Sequence, residues 1–318
     1  MAVKLVTDST VCLTPELQEK YDITKVTLYI VSDGVSTPEV TMDYDEYYER
    51  LRDLDQLPTT SQPTTQSFID AFTKALDNGD DVLAVLVSGA LSGTVDGAIT
   101  ARTLLEEQRP DAKGRIAIVN SMSCGMGLFY PLIEAAELAA TGASLEQCTE
   151  RAEYVTSCTR FMFAPTSLEY LRKGGRIGRA GALLGTALKM IPILGPDKYT
   201  GAVHVYGKIR TYRKALETIN EKMHEDIARS GGLKALSVQY IAEENQARTY
   251  LDNVVAPGVA NTGIAPEINA ISPVVGTHVG PAVGIAYVVN EPVAKEEIDN
   301  VGLAARVSER VKSIRGKE

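Results

Sequence analysis

The chain has 318 residues, 44% hydrophobic and 23% charged, which is long enough for about two domains and too apolar for a disordered chain. Lys plus Arg number 32 against 41 Asp plus Glu, a net charge of −9 with pI ≈ 5.1. Such an acidic chain repels phosphate backbones, and no basic stripe offsets this, so nucleic acid is not an expected partner.

The N-terminal run MAVKLVTDST enters a strand-like segment directly, without the charged-then-apolar layout of a leader. The most apolar stretch, residues 180–195, is shorter than a membrane span and carries Lys189 and Pro192. Cys12, Cys124, Cys148 and Cys158 form no CxxC pair and no Cys/His metal spacing. They read as reduced thiols of a cytoplasmic protein, with no metal and no cofactor expected.

In chain order, residues 3–7 (VKLVT) predict a buried strand, and residues 14–21 a helix capped by Thr14 with Pro15 in its first turn. Residues 25–31 (KVTLYIV) predict a second strand, and 43–51 a helix begun by Asp43 and Glu46. Phe68, Phe72, Ala75 and Leu76 recur at helical period over 65–76. The nearly all-apolar run 81–88 predicts a strand buried on both faces, the mark of a parallel sheet. A helix over 96–108, a strand over 115–120 and helices over 127–140 and 145–157 complete the pattern.

Strand–helix alternation of this kind predicts a Rossmann-like, doubly wound α/β domain over 1–157. Strand candidates at 160–164, 202–206, 236–241, 267–271 and 285–289, with helices over 212–227 and 243–253, predict a C-terminal α/β domain over 158–318 with a mixed or antiparallel sheet. The charged tail from Lys295 predicts a further helix with Ile298, Val301, Ala305 and Val307 inward.

Four polar clusters fall where strands end, the place where open α/β sheets bind ligands. They are Asp8-Ser9-Thr10; the run from Thr59 to Thr64; the run from Ser88 to Thr94; and the glycine-dense turn from Gly276 to Gly284 that holds His278. Hydroxyls ahead of helices read either as caps or as neutral donors to an anion. The run at 89–93 is neither GxSxG nor a Walker loop. His204 and His224 read as structural or surface residues.

Taken together, DST at 8–10, TSQP at 60–63, LSGT at 91–94, LRKGGRIG at 171–178 and THVGP at 277–281 resemble the DegV family of bacterial fatty-acid-binding proteins, over roughly residues 3–290. The resemblance implies a two-domain α/β fold holding one long-chain fatty acid between the domains, with no catalysis of its own. It implies that Thr60, Ser92 and His278 bind the carboxylate, with Ser61 and Thr94 as neighbouring donors. It also implies presentation of the acid to a fatty acid kinase, which makes an acyl-phosphate for phospholipid synthesis. Gly89, Ala282 and the pair Asn120-Ser121 depart from residues common in the family.

Arg176 in the KGGRIG loop suits a phosphoryl group or an acidic kinase surface. Leu168, Leu171, Leu183, Leu184, Leu188, Met190, Ile191, Ile193 and Leu194 are an apolar set able to line an acyl cavity. A monomer is the default, with transient membrane contact for lipid exchange. The competing readings are an acyl hydrolase using Ser92 with His278, and a nucleotide-binding regulator.

Overall fold

The computed structural model describes residues 2–53, 56–183 and 190–292, so the C-terminal helix expected from Lys295 lies outside the described residues. Thirteen strands are described: β1 (Val3–Asp8), β2 (Thr24–Val26), β3 (Tyr29–Ser32), β4 (Val35–Pro38), β5 (Thr59–Ser61), β6 (Asp81–Leu86), β7 (Ile116–Asn120), β8 (Thr159–Pro165), β9 (Ile191–Pro196), β10 (Val203–Ile209), β11 (Leu233–Ile241), β12 (Glu267–Ala270) and β13 (Ala282–Val289).

The fold is α/β with a parallel sheet and a mixed sheet, as expected. The first sheet runs β2-β1-β6-β7 and is wholly parallel. Its strands are apolar on both faces because both faces are covered. Val82, Ala84 and Leu86 pack in one cluster with Phe68, Phe72 and Leu105 of the helices Thr65–Asp77 and Thr94–Gln108. Leu83, Val85 and Val87 point the other way, into the cluster holding Leu128, Leu132 and Ala135 of the helix Met126–Ala140.

The second sheet runs β10-β9-β8-β13-β11-β12, antiparallel except for the β11–β12 pair. The helices Met126–Ala140 and Leu145–Cys158 touch strands of both sheets and form a layer common to them.

The structure differs from expectation at several places, and three of them shape the site. Residues 25–31 are two strands: Val26 ends a parallel pairing with Asp8, and Tyr29 starts an antiparallel pairing with Pro38 and Ser61. The run at Thr59 to Ser61 is therefore a strand, part of a small third sheet ordered β4-β3-β5. His278 lies in the last turn of a short helix, Pro273–Val279, which stops at Gly280 with φ +69.

Candidate functional site

In the first sheet the strand order reverses between β1 and β6, and a crevice opens beyond their carboxyl ends. The loops leaving these strands carry Asp8-Ser9-Thr10 and the run from Ser88 to Thr94. A cavity of about 290 Å³ starts there, lined by Thr10, Val87, Leu91 and Ser92, and extends between the two larger sheets to Phe161, Phe163 and Val283. That volume sits at the lower end of small-molecule pockets.

Thr60, Ser61, Ser92, Arg176 and His278 all line this cavity, although they come from four separate segments. The Thr60 Oγ1 and His278 Nε2 share a hydrogen bond of 2.7 Å. Thr60 is held by its pairing with Ile30, and Gln62 lies so close over Gly93 that a Cβ there would meet its Oε1 at 2.1 Å. The Ser92 Oγ is 2.8 Å from Thr94 Oγ1. Thr94 itself is fully buried behind Ser92 and does not line the cavity. Gly93 caps the helix Thr94–Gln108 without a side-chain partner, so the positive end of a 15-residue helix faces the cavity mouth.

Arg176 Nη1 donates to Gly174 O at 2.7 Å and its Nε to Leu91 O at 3.3 Å, tying two of these loops together. A second, more polar cavity lies against the same side chains: Thr60, Arg176 and His278 line it together with Thr59, Lys173 and Thr277. These three residues are thus a partition between a greasy interior and a polar, cationic exterior. Burial first, and the Arg176 charge second, push the His278 imidazole down to about 4, so it is neutral at pH 7. Its Nδ1 is buried against Gly174, where a Cβ would stand 2.3 Å away, and has no partner.

The helix bearing His278 is anchored from behind. Tyr47 and Thr277 hydroxyls are 2.5 Å apart, and Tyr48 donates to Ile271 O at 2.6 Å. Glu39 Oε1 accepts from Val274 N–H at 2.6 Å and its other oxygen from Ser9 Oγ. Ser9 Oγ in turn accepts from Leu28 N–H at 2.9 Å. Glu39 was not singled out from the sequence; one glutamate in a polar run carries no signal of its burial. Asp8 accepts from Val87 N–H at 2.7 Å and from the Thr10 hydroxyl at 2.6 Å, which joins the ends of β1 and β6. Both carboxyls are buried, and burial raises each above the usual carboxylate range.

The apolar wall departs from the expected set. Leu171 does line the cavity, whereas Ile193 and Leu194 are core residues of β9. Leu184 and Leu188 lie outside the described residues. Leu28, Ile241, Ile271, Val274 and Val279 supply wall that the sequence did not assign. No helix among the described residues is long and apolar enough to cross a membrane, and none of their His, Cys, Asp and Glu side chains cluster as a metal site.

Comparison with known proteins agrees with this architecture. The profile of the family described as uncharacterised protein, DegV family, matches residues 2–290. A DegV domain-containing protein of Clostridium acetobutylicum is 37% identical over 288 residues, 90% of this chain and 98% of the relative. Among solved structures, a DegV family protein from Thermus thermophilus, described by its fatty acid binding, superposes with TM-score 0.80 at 29% identity, covering 91% of this chain and 100% of that one. DegV of Bacillus subtilis, described as a fatty acid binding protein, gives TM-score 0.78 at 26% identity, over 91% and 99% of the two chains. With the fold matched over its length and the family profile spanning both large sheets, the chain belongs to the DegV family.

Proposed function

We propose that this protein binds one long-chain fatty acid between an N-terminal unit, 1–157, and a C-terminal unit, 158–318, and presents its carboxyl group to a kinase. The observation that carries this reading is the partition: an apolar cavity ending at Thr60, Ser61, Ser92 and His278, with a cationic recess on the far side. The tail supplies the driving force, about 0.8 kcal/mol per buried CH2, or roughly 12 kcal/mol gross for 15 methylenes before association costs.

A carboxylate at the partition needs donors, since an unpaired buried anion is prohibitive. The hydroxyls of Thr60 and Ser92 and the imidazole of His278 supply them, Thr94 acting by orienting Ser92. Hydrogen bonds to an ionised acceptor are the strong kind. Neutral donors hold the anion without an ion pair, leaving an oxygen able to attack phosphorus. Arg176 and Lys173 border the recess that the arriving phosphoryl group would occupy.

The geometry favours a carrier over an acyl hydrolase. Ser92 hydrogen-bonds Thr94, while His278 hydrogen-bonds Thr60, and no carboxylate orients the His278 Nδ1. An imidazole held near 4 is also a weak base for a serine hydroxyl.

Mass spectrometry of the organic extract of purified protein tests the reading. One equivalent of a long-chain fatty acid, exchangeable with added palmitate, supports it. Absence of lipid together with failure to bind added fatty acid refutes it.

A further inference from the structure

Gln239 is a polar side chain of the apolar cavity that the carboxylate end does not use. Gln239 lies on β11 two residues from Ile241, and both line the cavity. Alternate residues of a strand share a face, so the Gln239 side chain leaves the sheet on the cavity side. Gln239 is 1% exposed.

Its amide is fixed in one orientation. Met126 N–H donates to Oε1 at 2.8 Å. A backbone N–H can only donate, so the atom facing it is the oxygen and the other is the NH2. The chain makes room for this at Gly125, where φ is +58 and a Cβ would stand 2.4 Å from Oε1. Nε2 carries two N–H donors, is buried, and has no partner.

An acceptor on another segment lines the same cavity. Gly125, which packs on the Gln239 Oε1, donates its N–H to Thr10 O at 3.0 Å, and Thr10 is itself a lining residue. The Thr10 hydroxyl gives its proton to Asp8 at 2.6 Å, and its oxygen, on a residue lining the cavity, retains lone pairs. The carboxylate end is elsewhere. Ile271 N–H donates to Tyr240 O, next to Gln239, and the helix Pro273–Val279 then leads away to His278. The five steps from Pro273 to His278 rise about 7.5 Å along that helix.

An unused donor and an acceptor lining one apolar cavity match a hydroxyl, which accepts one hydrogen bond and donates another. A methylene there leaves the amide N–H groups unsatisfied in a low-dielectric site. We propose that Gln239 and Thr10 form a second polar subsite that selects fatty acids bearing a hydroxyl partway along the chain. This rests on the fatty-acid reading above and specifies its substrate class.

The test is competition binding of palmitate against a positional series of hydroxypalmitates, with the full native chain and with Gln239→Met. One narrow group of isomers should bind at least about tenfold tighter than palmitate to the native protein, because a site built to bond a hydroxyl rejects the analogue lacking it. Gln239→Met should abolish that preference and leave palmitate binding equal or tighter. If no isomer outbinds palmitate, Nε2 holds only a water and the proposal is overturned; survival of the preference in Gln239→Met overturns it as well. The native series decides alone if the variant does not fold. Failure of palmitate and every isomer to bind refutes the underlying lipid reading instead.

Discussion

Gly174→Ala separates binding from stability in this protein. Gly174 ends the helix Glu169–Lys173 with φ −73 and ψ −9, a conformation any residue adopts. The substitution therefore brings no φ/ψ strain, and loss of unfolded-state freedom, about 0.4–1 kcal/mol in favour of the folded chain, offsets part of the crowding of the added methyl. The added methyl would stand 2.3 Å from His278 Nδ1 and 3.1 Å from Tyr170 O. The ring must retreat by about 1 Å to reach ordinary contact. A shift of that size carries the 2.7 Å bond between Thr60 and His278 past hydrogen-bonding range. A hydrogen bond to a charged group is worth about 1.5–3 kcal/mol, so fatty-acid affinity should fall roughly 10- to 150-fold. Isothermal titration with palmitate and thermal melts of the unliganded protein read the two effects separately. Unchanged affinity in a folded Gly174→Ala protein would remove His278 from the carboxylate site.

Three further outcomes follow from the same geometry. Thr60→Val keeps a β-branched residue in β5 and should weaken palmitate about tenfold or more with little change in melting temperature, read by the same titration. Ser92→Ala should also weaken binding, and Thr94→Val should do so less, because Thr94 acts only by holding Ser92. Glu39, raised by burial to about 7 against 4.5 in an open chain, binds more protons folded than unfolded between those values. Its contribution to stability is therefore greatest below about pH 4.5 and falls as pH rises to 7, by a few kcal/mol at most. Glu39→Gln should remove that part of the decline in urea unfolding measured at pH 5 and pH 7.5; parallel curves for the two proteins would disprove the assignment.

The parallel sheet was legible because its strands advertise themselves: Val82 to Leu86 are all buried, and an unbroken apolar run of that length fits a strand covered on both sides. The helix Thr65–Asp77 was legible for the matching reason, its four buried side chains falling at helical period. The small third sheet was not. Its strand β5 is Thr-Thr-Ser, with no apolar alternation, and backbone pairing to β3 alone makes it a strand. β9 was hidden by Pro192, Gly195 and Pro196, residues that usually break strands, although the pairing with β10 holds it. The helix carrying His278 reads as a turn because glycines at 276 and 280 dominate a seven-residue stretch, and its anchors, Glu39, Tyr47 and Tyr48, are more than 220 residues away.

The candidate site shows the same division. Residue types at Thr60, Ser92 and His278 suggested donors for an anion, and family resemblance grouped them, but only the fold brings β5, the loop after β6 and the helix Pro273–Val279 to one cavity wall. Gln239 carried no sequence signal, since a lone glutamine in a strand is ordinary. Its meaning comes from the hydrogen bonds its oxygen accepts, from Met126 N–H and Cys12 Sγ, and from the donors it leaves unused.

The most direct measurement is a crystal structure of the palmitate-loaded protein. The account predicts a carboxylate within hydrogen-bonding distance of Thr60 Oγ1, Ser92 Oγ and His278 Nε2, with the tail running past Phe163 toward Gln239. A headgroup bound away from those three side chains, or a tail lying outside the cavity, would contradict it.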